Sequence, residues 1–308
     1  MKFKNVFKRK EAGKDGAGCS VSRDGKSGQK EGQCGTCSVK SCPDREKQGQ
    51  EKNRNLEQIK NKIVVLSGKG GVGKSTVAAN VAVALASEGR AVGLLDVDVH
   101  GPSIPRVLGL SAEKTRVEEG NLVPVLWENN LKVMSLGFLL PDDNEAVIWR
   151  GPVKMGLIKQ FVEEVDWGEL DYLIVDCPPG TGDEPLSVLQ VLGNDAKVLI
   201  VTTPQGVAVD DVRRSVTFCR KVGNPVLGIV ENMSGFVCPK CSEVYDIFGA
   251  GGGKDLAEEM DVPFMGAIPL DPQVRQSGDS GKVYVAGGHG EVAGRAMEEI
   301  MERIEKSC

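Results

Sequence analysis

The stretch IVVLSGKGGVGKSTVAANVAVALASE, residues 63–88, decides the fold of this 308-residue chain. Its first five residues, 63–67, are apolar and β-branched, which is typical of a strand buried on both faces of a parallel sheet. The Ala-rich run at 75–88 predicts a helix that ends at Gly89. A glycine-rich loop lies between the two, so the stretch predicts a strand, a loop and a helix in direct succession.

The loop and the first residues of the predicted helix form a GxxxxGK[ST] pattern. Its members are Gly68, Lys69, Gly70, Gly71, Val72, Gly73, Lys74, Ser75 and Thr76. Glycines let backbone N–H groups turn inward around phosphate oxygens, and the helix adds the positive end of its dipole. We expect Lys74 to contact the β- and γ-phosphates of ATP and the Ser75 hydroxyl to bind Mg²⁺. The alternative is a glycine-rich turn without a ligand; the flanking strand and helix favour the phosphate-binding loop.

Strand and helix patterns alternate along the rest of the chain. Strands are predicted at 91–97, 131–135, 171–175, 197–201, 225–230 and 264–268, and helices at 153–165, 184–192, 209–222 and 291–305. This alternation predicts an α/β fold with a doubly wound, mostly parallel sheet and helices on both faces. Residues 101–125 have weak periodicity, and we expect loops with short elements there.

The first 60 residues differ in composition from the rest. They carry 15 Lys and Arg against 8 Asp and Glu, whereas the remainder carries 23 against 35. This predicts a largely disordered tail at 1–60 and a P-loop ATPase domain at 61–308. The acidic body argues against a nucleic-acid partner. The basic tail is expected to be a solvated arm, and contact with nucleic acid, a membrane or an acidic partner is the alternative.

The cysteines indicate metal or cluster binding. The sequence has no run long enough to span a membrane and no secretory leader, which predicts a cytoplasmic protein without a membrane partner. In a reducing compartment, nine cysteines are more often ligands than disulfides. Four are in the tail, Cys19, Cys34, Cys37 and Cys42, and two form a CxxC pair, Cys238 and Cys241. Cys177 and Cys219 are expected to be core residues.

Acidic residues stand at the ends of two predicted strands. LLDVDVHGPS places Asp96 and Asp98 after one strand, and YLIVDCPPGTGDE places Asp176 at the end of another. Ligands of open parallel sheets bind at the carboxyl ends of the strands, and hard carboxylate oxygens suit Mg²⁺. The three residues are therefore candidates for a magnesium and catalytic site. Helix N-caps are the alternative.

The form GKGGxGK[ST], with its second lysine at Lys69, resembles the deviant Walker A group, which includes MinD, ParA, nitrogenase iron protein and the Mrp/ApbC proteins. The resemblance implies that Lys69 reaches the nucleotide of a partner copy in an ATP-bound homodimer. It also implies that Asp98 orients the attacking water and that Asp96 and Asp176 lie near Mg²⁺. Lys69, Lys74 and Asp98 are accordingly the expected catalytic residues.

The same resemblance extends to the nucleotide base. In GIVENMSGF, it implies that Asn232 contacts the adenine ring, with a plain turn residue as the alternative. The later segment GAIPLDP, residues 266–272, includes Pro269 and is expected to line the base. Together these residues complete the predicted ATP site.

The CxxC pair indicates which family within the deviant Walker A group the sequence resembles. Together with DVDVHGPS, WRGPVK and DCPPGTGDE, the segment CPKC resembles the Mrp/ApbC family of iron–sulfur cluster carriers over about residues 61–300. One CxxC supplies two thiolates, whereas a cubane cluster or a tetrahedral zinc takes four. The resemblance implies that a two-fold dimer holds one labile [4Fe–4S] cluster between Cys238 and Cys241 of both copies. Zinc is the alternative.

The tail cysteines follow the pattern Cys19-x14-Cys34-x2-Cys37-x4-Cys42. This resembles the N-terminal ferredoxin-like site of the longer, eukaryotic-type branch of the family, although two spacings differ by one residue from x13, x2 and x5. The resemblance implies a second [4Fe–4S] cluster, with zinc as the alternative.

The expected function is an ATP-binding scaffold that carries a [4Fe–4S] cluster to apo-proteins, with slow ATP hydrolysis changing the dimer geometry. Two other classes stay open: a MinD- or ParA-like spatial regulator with structural zinc, and an ATP-gated electron-transfer reductase. The acidic body and the single CxxC favour the carrier.

Overall fold

The computed structural model describes residues 56–98, 101–118, 121–128, 130–139, 151–285 and 292–308, with the side chains of 151–154 excepted. All of them belong to one compact unit. The four tail cysteines and both histidines lie outside the described residues. The prediction that the tail is largely disordered also concerns residues outside them, up to residue 55.

An eight-stranded sheet forms the centre of this unit. Its strands are β1 Ile59–Ser67, β2 Val92–Asp96, β5 Val125–Trp127, β6 Leu131–Ser135, β7 Leu170–Asp176, β8 Lys197–Thr202, β9 Val226–Asn232 and β12 Phe264–Ile268. Their spatial order is β12-β9-β8-β1-β7-β2-β6-β5, and every neighbouring pair is parallel except the edge pair β5 and β6. The mostly parallel, doubly wound sheet predicted from the sequence is confirmed.

Helices cover both faces of the sheet because the central strands are apolar on both sides. One face packs against α1 Lys74–Ser87, α2 Ile104–Val107 and α8 Val292–Ser307. The other packs against α3 Gly151–Glu163, α4 Asp183–Leu192, α5 Gly206–Val222 and α6 Gly252–Glu259. Helix α7, Pro272–Ser280, lies beside α2. None of the described helices is long and apolar enough to cross a membrane.

Two small antiparallel pairs lie outside the main sheet. Strands β3 Arg116–Glu118 and β4 Asn121–Val123 pair within the stretch of weak periodicity, as expected there. Strands β10 Phe236–Val237 and β11 Val244–Tyr245 form the second pair, which encloses Cys238 and Cys241. We call residues 236–245 the cysteine hairpin.

The start of β1 and two helices differ from the predicted elements, and the short strands β5, β10 and β11 were not predicted. Strand β1 begins at Ile59, so the predicted boundary at 60/61 falls inside it; Asn61 donates to the Asp171 carbonyl, and Lys62 pairs with Asp195. The first residues of β1 include the polar side chains of residues 60–62, so the apolar strand pattern is recognisable only from Ile63 onward. Helices α6 and α7 were not predicted, because one begins with glycines and the other buries none of its residues.

Candidate functional site

The glycine-rich loop joins β1 to α1 at the carboxyl edge of the sheet. Gly73 is the N-cap of α1 at φ 83°, a conformation that favours glycine. A Cβ at Gly73 would also overlap the Asn232 side-chain amide. A cavity of about 220 Å³ opens at the loop. It is lined by Ser67, Gly70, Gly71, Gly73, Lys74, Ser75, Thr76, Asp98 and Pro179.

Lys74 and Asp176 form a buried ion pair at the floor of this cavity. Lys74 Nζ lies 2.5 Å from Asp176 Oδ1, and the two side chains are 6% and 0% exposed. Burial favours the neutral lysine, but the Asp176 carboxylate outweighs it, and the pKa of Lys74 is raised. Lys74 is therefore a fixed cation facing this cavity, which fits the predicted contact with phosphates.

The second oxygen of Asp176 is the best evidence for a cation at this point. Asp176 Oδ2 is buried and has no hydrogen-bond partner among the described residues. The neighbouring Ser75 Oγ accepts a hydrogen bond from Lys74 Nζ at 3.2 Å. An unpaired buried carboxylate oxygen beside a hydroxyl suits Mg²⁺ with its retained waters. Ser75 and Asp176 would hold this ion.

Asp96 is engaged differently. Its Oδ1 accepts from the Asp98 N–H at 3.0 Å, and its Oδ2 accepts from the Ile104 N–H at 3.3 Å and from Ser135 Oγ at 3.0 Å. Burial, and then the nearby Asp176 carboxylate, raise the pKa of Asp96 to about 8. Both oxygens of Asp96 are thus used to position the chain after β2. Its predicted place near Mg²⁺ stays a prediction.

Asp98 and Lys69 border the same cavity. Asp98 is half-buried, lines the cavity, and accepts from the Gly101 N–H at 3.3 Å. Lys69 lies on the loop with Nζ 3.5 Å from Gln205 Oε1 at the N-cap of α5. The predicted roles in water activation and in the partner's nucleotide site stay predictions.

The predicted base-binding residues come together at the ends of two paired strands. Asn232 ends β9 opposite Ile268 of β12, and Pro269 follows directly. Asn232 Nδ2 donates to the Val72 carbonyl at 2.9 Å, so it supports the loop backbone. The Ser234 N–H also bonds the Ile268 carbonyl at 2.9 Å. The predicted contact of Asn232 with adenine stays a prediction.

The two cysteines of the CxxC pair sit at the tip of the cysteine hairpin. The Cys238 N–H donates to the Glu243 carbonyl at 2.9 Å, and the Ser242 N–H donates to the Cys238 carbonyl at 2.8 Å. Hydrogen bonds from the Lys240 and Cys241 N–H groups, and then from the Cys241 thiol, lower the pKa of Cys238. Cys238 is half-buried and Cys241 is exposed. This tight turn stabilises a thiolate at the surface, which is the ligand form of cysteine.

The remaining cysteines of the described chain are not arranged as ligands. Cys177 and Cys219 are buried in the core, as predicted, and burial raises the pKa of each, to about 12 for Cys219. Within the described ranges, no three His, Cys, Asp or Glu residues are grouped to hold a metal ion. One chain therefore offers two thiols at the hairpin.

No role was predicted for Ser135, Gln205 or Glu231. Ser135 bonds Asp96, and Gln205 bonds Lys69. Glu231 is fully buried and bonds Gly251 and Gly253. Only Glu231 had a visible signal, since it is a charged residue within the apolar strand pattern GIVEN.

The fold and the loop define a P-loop nucleotide-binding protein. The chain belongs to the family described as ParA, NUBPL iron-transfer P-loop NTPase, whose model matches residues 58–305. The resemblance stated from the motifs is thereby confirmed.

Its relatives carry names that agree with this family. It is 46% identical over 282 residues to an iron-sulfur cluster carrier protein of Methanocaldococcus jannaschii, covering 89% of this chain and 97% of that protein. It is 50% identical over 254 residues to the cytosolic Fe-S cluster assembly factor NUBP2 of Bos taurus, covering 81% and 94%.

Solved structures agree on the architecture. A nucleotide-binding protein from Archaeoglobus fulgidus in complex with ADP matches with a TM-score of 0.69 and 41% identity, over 80% of this chain and 95% of that one. The cell-division ATPase MinD of Pyrococcus furiosus matches with a TM-score of 0.60 and 24% identity, over 80% and 100%. The second likeness concerns the fold alone.

Proposed function

We propose that this chain is an ATP-binding carrier that holds a labile [4Fe–4S] cluster between two copies and transfers it to apo-proteins. Cys238 and Cys241 of each copy supply the four thiolates. The observation that carries the proposal is the cysteine hairpin: it presents two thiols at the surface, and its backbone N–H groups stabilise one of them as thiolate. The names of the carrier and assembly-factor relatives support the same cargo.

A second copy is needed because the hairpin of one chain has half of the ligands. A two-fold axis beside the hairpin would bring two identical pairs together. The surface next to the cysteines fits such contact, since it exposes large apolar side chains: Val244, Tyr245, Ile247 and Phe248. We call these four residues the apolar patch. A homodimer that buries the patch also covers the cargo.

ATP occupies the cavity at the loop. Lys74 neutralises charge on the β- and γ-phosphates, and the loop N–H groups hold the phosphate oxygens. Mg²⁺, held by Ser75 and Asp176, supplies further neutralisation of the phosphates. Asp98 orients the attacking water, and Lys69 reaches the nucleotide of the partner copy. Slow hydrolysis changes the geometry of the dimer and so releases the cargo.

The proposal extends to the regions and partners outside the described structure. Cys19, Cys34, Cys37 and Cys42 hold a second [4Fe–4S] cluster, for which zinc is the alternative. The clients are apo iron–sulfur proteins in the cytoplasm, and neither nucleic acid nor a membrane is a partner.

Anaerobic reconstitution of the full chain with iron and sulfide tests the carrier. The double variant Cys238→Ala/Cys241→Ala is expected to hold about four fewer irons per dimer than the wild type, because it lacks the bridging ligands. Cys308→Ala, at an exposed cysteine remote in sequence from the hairpin, is the matched control and should keep the wild-type iron content. Equal iron in the double variant and the wild type contradicts the proposal, as does a hairpin that takes up zinc alone.

A further inference from the structure

Glu231 is a buried carboxylate that the nucleotide site does not use. It lies next to the end of β9 and is 0% exposed. Its Oε1 accepts from Ser234 Oγ at 2.6 Å and from the Gly251 N–H at 2.8 Å, and its Oε2 accepts from the Gly253 N–H. A buried charge is costly unless hydrogen bonds compensate it, so these three bonds hold their donors firmly.

The positions of the donors matter more than their number. Ser234 lies just before the cysteine hairpin, and Gly251 lies where the chain returns from it to α6. We call residues 234–251 the cysteine segment. Both of its ends are hydrogen-bonded to the same oxygen of Glu231. One side chain thus closes the base of the segment that presents Cys238 and Cys241.

The next residue along the strand holds the nucleotide loop. Successive side chains of a strand point to opposite faces of the sheet. Asn232 accordingly points away from Glu231 and donates to the Val72 carbonyl in the glycine-rich loop. The end of β9 is therefore bound on one face to the nucleotide loop and on the other to the cysteine segment.

A second contact route runs through the start of α5. A Cβ on Gly68, the first residue of the glycine-rich loop, would overlap Asp211 of α5. A Cβ on Gly252, at the start of α6, would overlap the carbonyl of Pro204, which precedes α5. Close packing at both places leaves little room for the nucleotide loop to move independently of the base of the cysteine segment.

We propose that Glu231 is a positioning residue that joins the nucleotide loop to the cysteine hairpin. ATP binding at the loop moves the end of β9 through Asn232, and Glu231 passes the movement to both ends of the cysteine segment. The accessibility of Cys238 and Cys241 then depends on nucleotide. The inference rests on the proposed function for its purpose, but the coupling itself needs no cluster.

The test uses the metal-free full chain and the alkylation rates of Cys238 and Cys241 with iodoacetamide, resolved by peptide mass spectrometry. Each variant is measured without nucleotide and with MgATP at a concentration shown to saturate it. In the wild type, ATP should change the rates by about fivefold or more, the size of a typical coupling between sites. In Glu231→Gln, the amide NH₂ group replaces one acceptor oxygen and faces a donor N–H group, so the side chain can no longer hold all three donors. The effect of ATP on the two rates should therefore be much smaller than in the wild type.

Two further variants separate positioning from general loss of structure. Ser234→Ala removes only the hydrogen bond at the first end of the segment, so it should reduce the response to ATP without abolishing it. Ser87→Ala removes a similar hydroxyl bond, to the Val83 carbonyl at 2.8 Å, at the far end of α1, and should respond as the wild type does. If Glu231→Gln does not fold, Ser234→Ala decides: a full wild-type response overturns the inference.

The outcomes are distinguishable from those for the carrier itself. A wild-type response that persists in Glu231→Gln overturns the inference, and so does a wild type whose rates ignore ATP. If the wild type binds no iron, the carrier is contradicted. If the same wild type responds to ATP and Glu231→Gln largely loses that response, the inference is still supported. If the wild type is reconstituted with a cluster and its full response to ATP persists in Glu231→Gln, the carrier is supported and the inference is contradicted.

Discussion

The nucleotide loop and the cysteine hairpin are built in opposite ways. The loop connects a nine-residue strand inside the sheet to a fourteen-residue helix, and its floor is the buried ion pair of Lys74 and Asp176. The cysteine hairpin has two strands of two residues each outside the main sheet, and its tip is exposed. One region is held by the core, and the other is held mainly at its base.

This difference separates a site whose phosphate-binding groups lie within one chain from a site that has half of its proposed ligands. The nucleotide loop has its cation, its carboxylate and its backbone donors within one chain. The hairpin has two thiols, and the apolar patch, which begins on its second strand, is exposed in the single chain. Regions with few buried contacts open at low free energy. The hairpin is therefore the region whose conformation nucleotide binding can change most easily. Three predictions test this contrast.

The largest expected effect is the difference in reactivity between the hairpin cysteine and a core cysteine. The thiolate is the nucleophile. Hydrogen bonds lower the pKa of Cys238, so its thiolate forms at lower pH than that of an ordinary thiol, whereas burial raises the pKa of Cys219 to about 12. At neutral pH in metal-free protein, Cys238 should alkylate more than about 1,000-fold faster than Cys219, because both thiolate fraction and access differ.

Peptide-resolved alkylation as a function of pH checks this. The rate at Cys238 should rise with pH and level off at lower pH than the rate of an ordinary thiol, whereas the rate at Cys219 should show no plateau in folded protein. Cys308 is an exposed cysteine for comparison. Partial desolvation of its thiol raises its pKa, so its rate should level off at higher pH than the rate at Cys238. A plateau for Cys238 at or above that of Cys308 would show that the turn does not stabilise the thiolate.

The second prediction compares two buried lysines. Lys74 pairs with a fully buried partner, whereas Lys62 pairs at 2.8 Å with Asp195, which is 68% exposed. Lys74→Met leaves a buried carboxylate without its cation and should lower the free energy of unfolding by about 3 kcal/mol. Lys62→Met should cost about 1 kcal/mol, because water solvates Asp195. Chemical denaturation of both variants gives the comparison.

The double variant Lys74→Met/Asp176→Asn sharpens the result. It removes the stranded charge together with its partner, so it should recover part of the stability lost in Lys74→Met. ATP hydrolysis should be lost in both Lys74 variants and kept in Lys62→Met. Equal destabilisation by the two single substitutions would mean that the ion pair at the cavity floor is solvated like a surface pair.

The contrast between the two regions also explains what the sequence could predict. The β-branched run before the loop and the Ala-rich helix after it are local patterns, so the elements around the nucleotide loop were predicted within a few residues. The CxxC pair was visible for the same reason. Alternation of strands and helices was sufficient for the parallel sheet, because each crossover pattern is local.

What the sequence could not predict depends on contacts between distant residues. Asp96 Oδ2 accepts hydrogen bonds from the Ile104 N–H and from Ser135 Oγ, and no local pattern predicts these two contacts. Helix α7 is capped by Asp271 and starts at Pro272, yet it lacks an apolar stripe because none of its residues is buried. The role of Glu231 depends on where the chain returns after the hairpin.

The smallest expected effect concerns the apolar patch, which begins on the second strand of the hairpin. Val244 and Leu126 are similarly exposed, at 63% and 61%. Leu126 lies on the edge strand β5, whereas the hairpin follows β9, which is next to the opposite edge of the sheet. If the patch is buried between two copies, Val244→Ser removes apolar contact from the dimer and should weaken ATP-dependent dimerisation by about tenfold, or about 1.4 kcal/mol. Leu126→Ser should leave it unchanged. Analytical ultracentrifugation with MgATP measures both variants, and equal dimerisation constants for the two would place the contact between copies elsewhere on the surface.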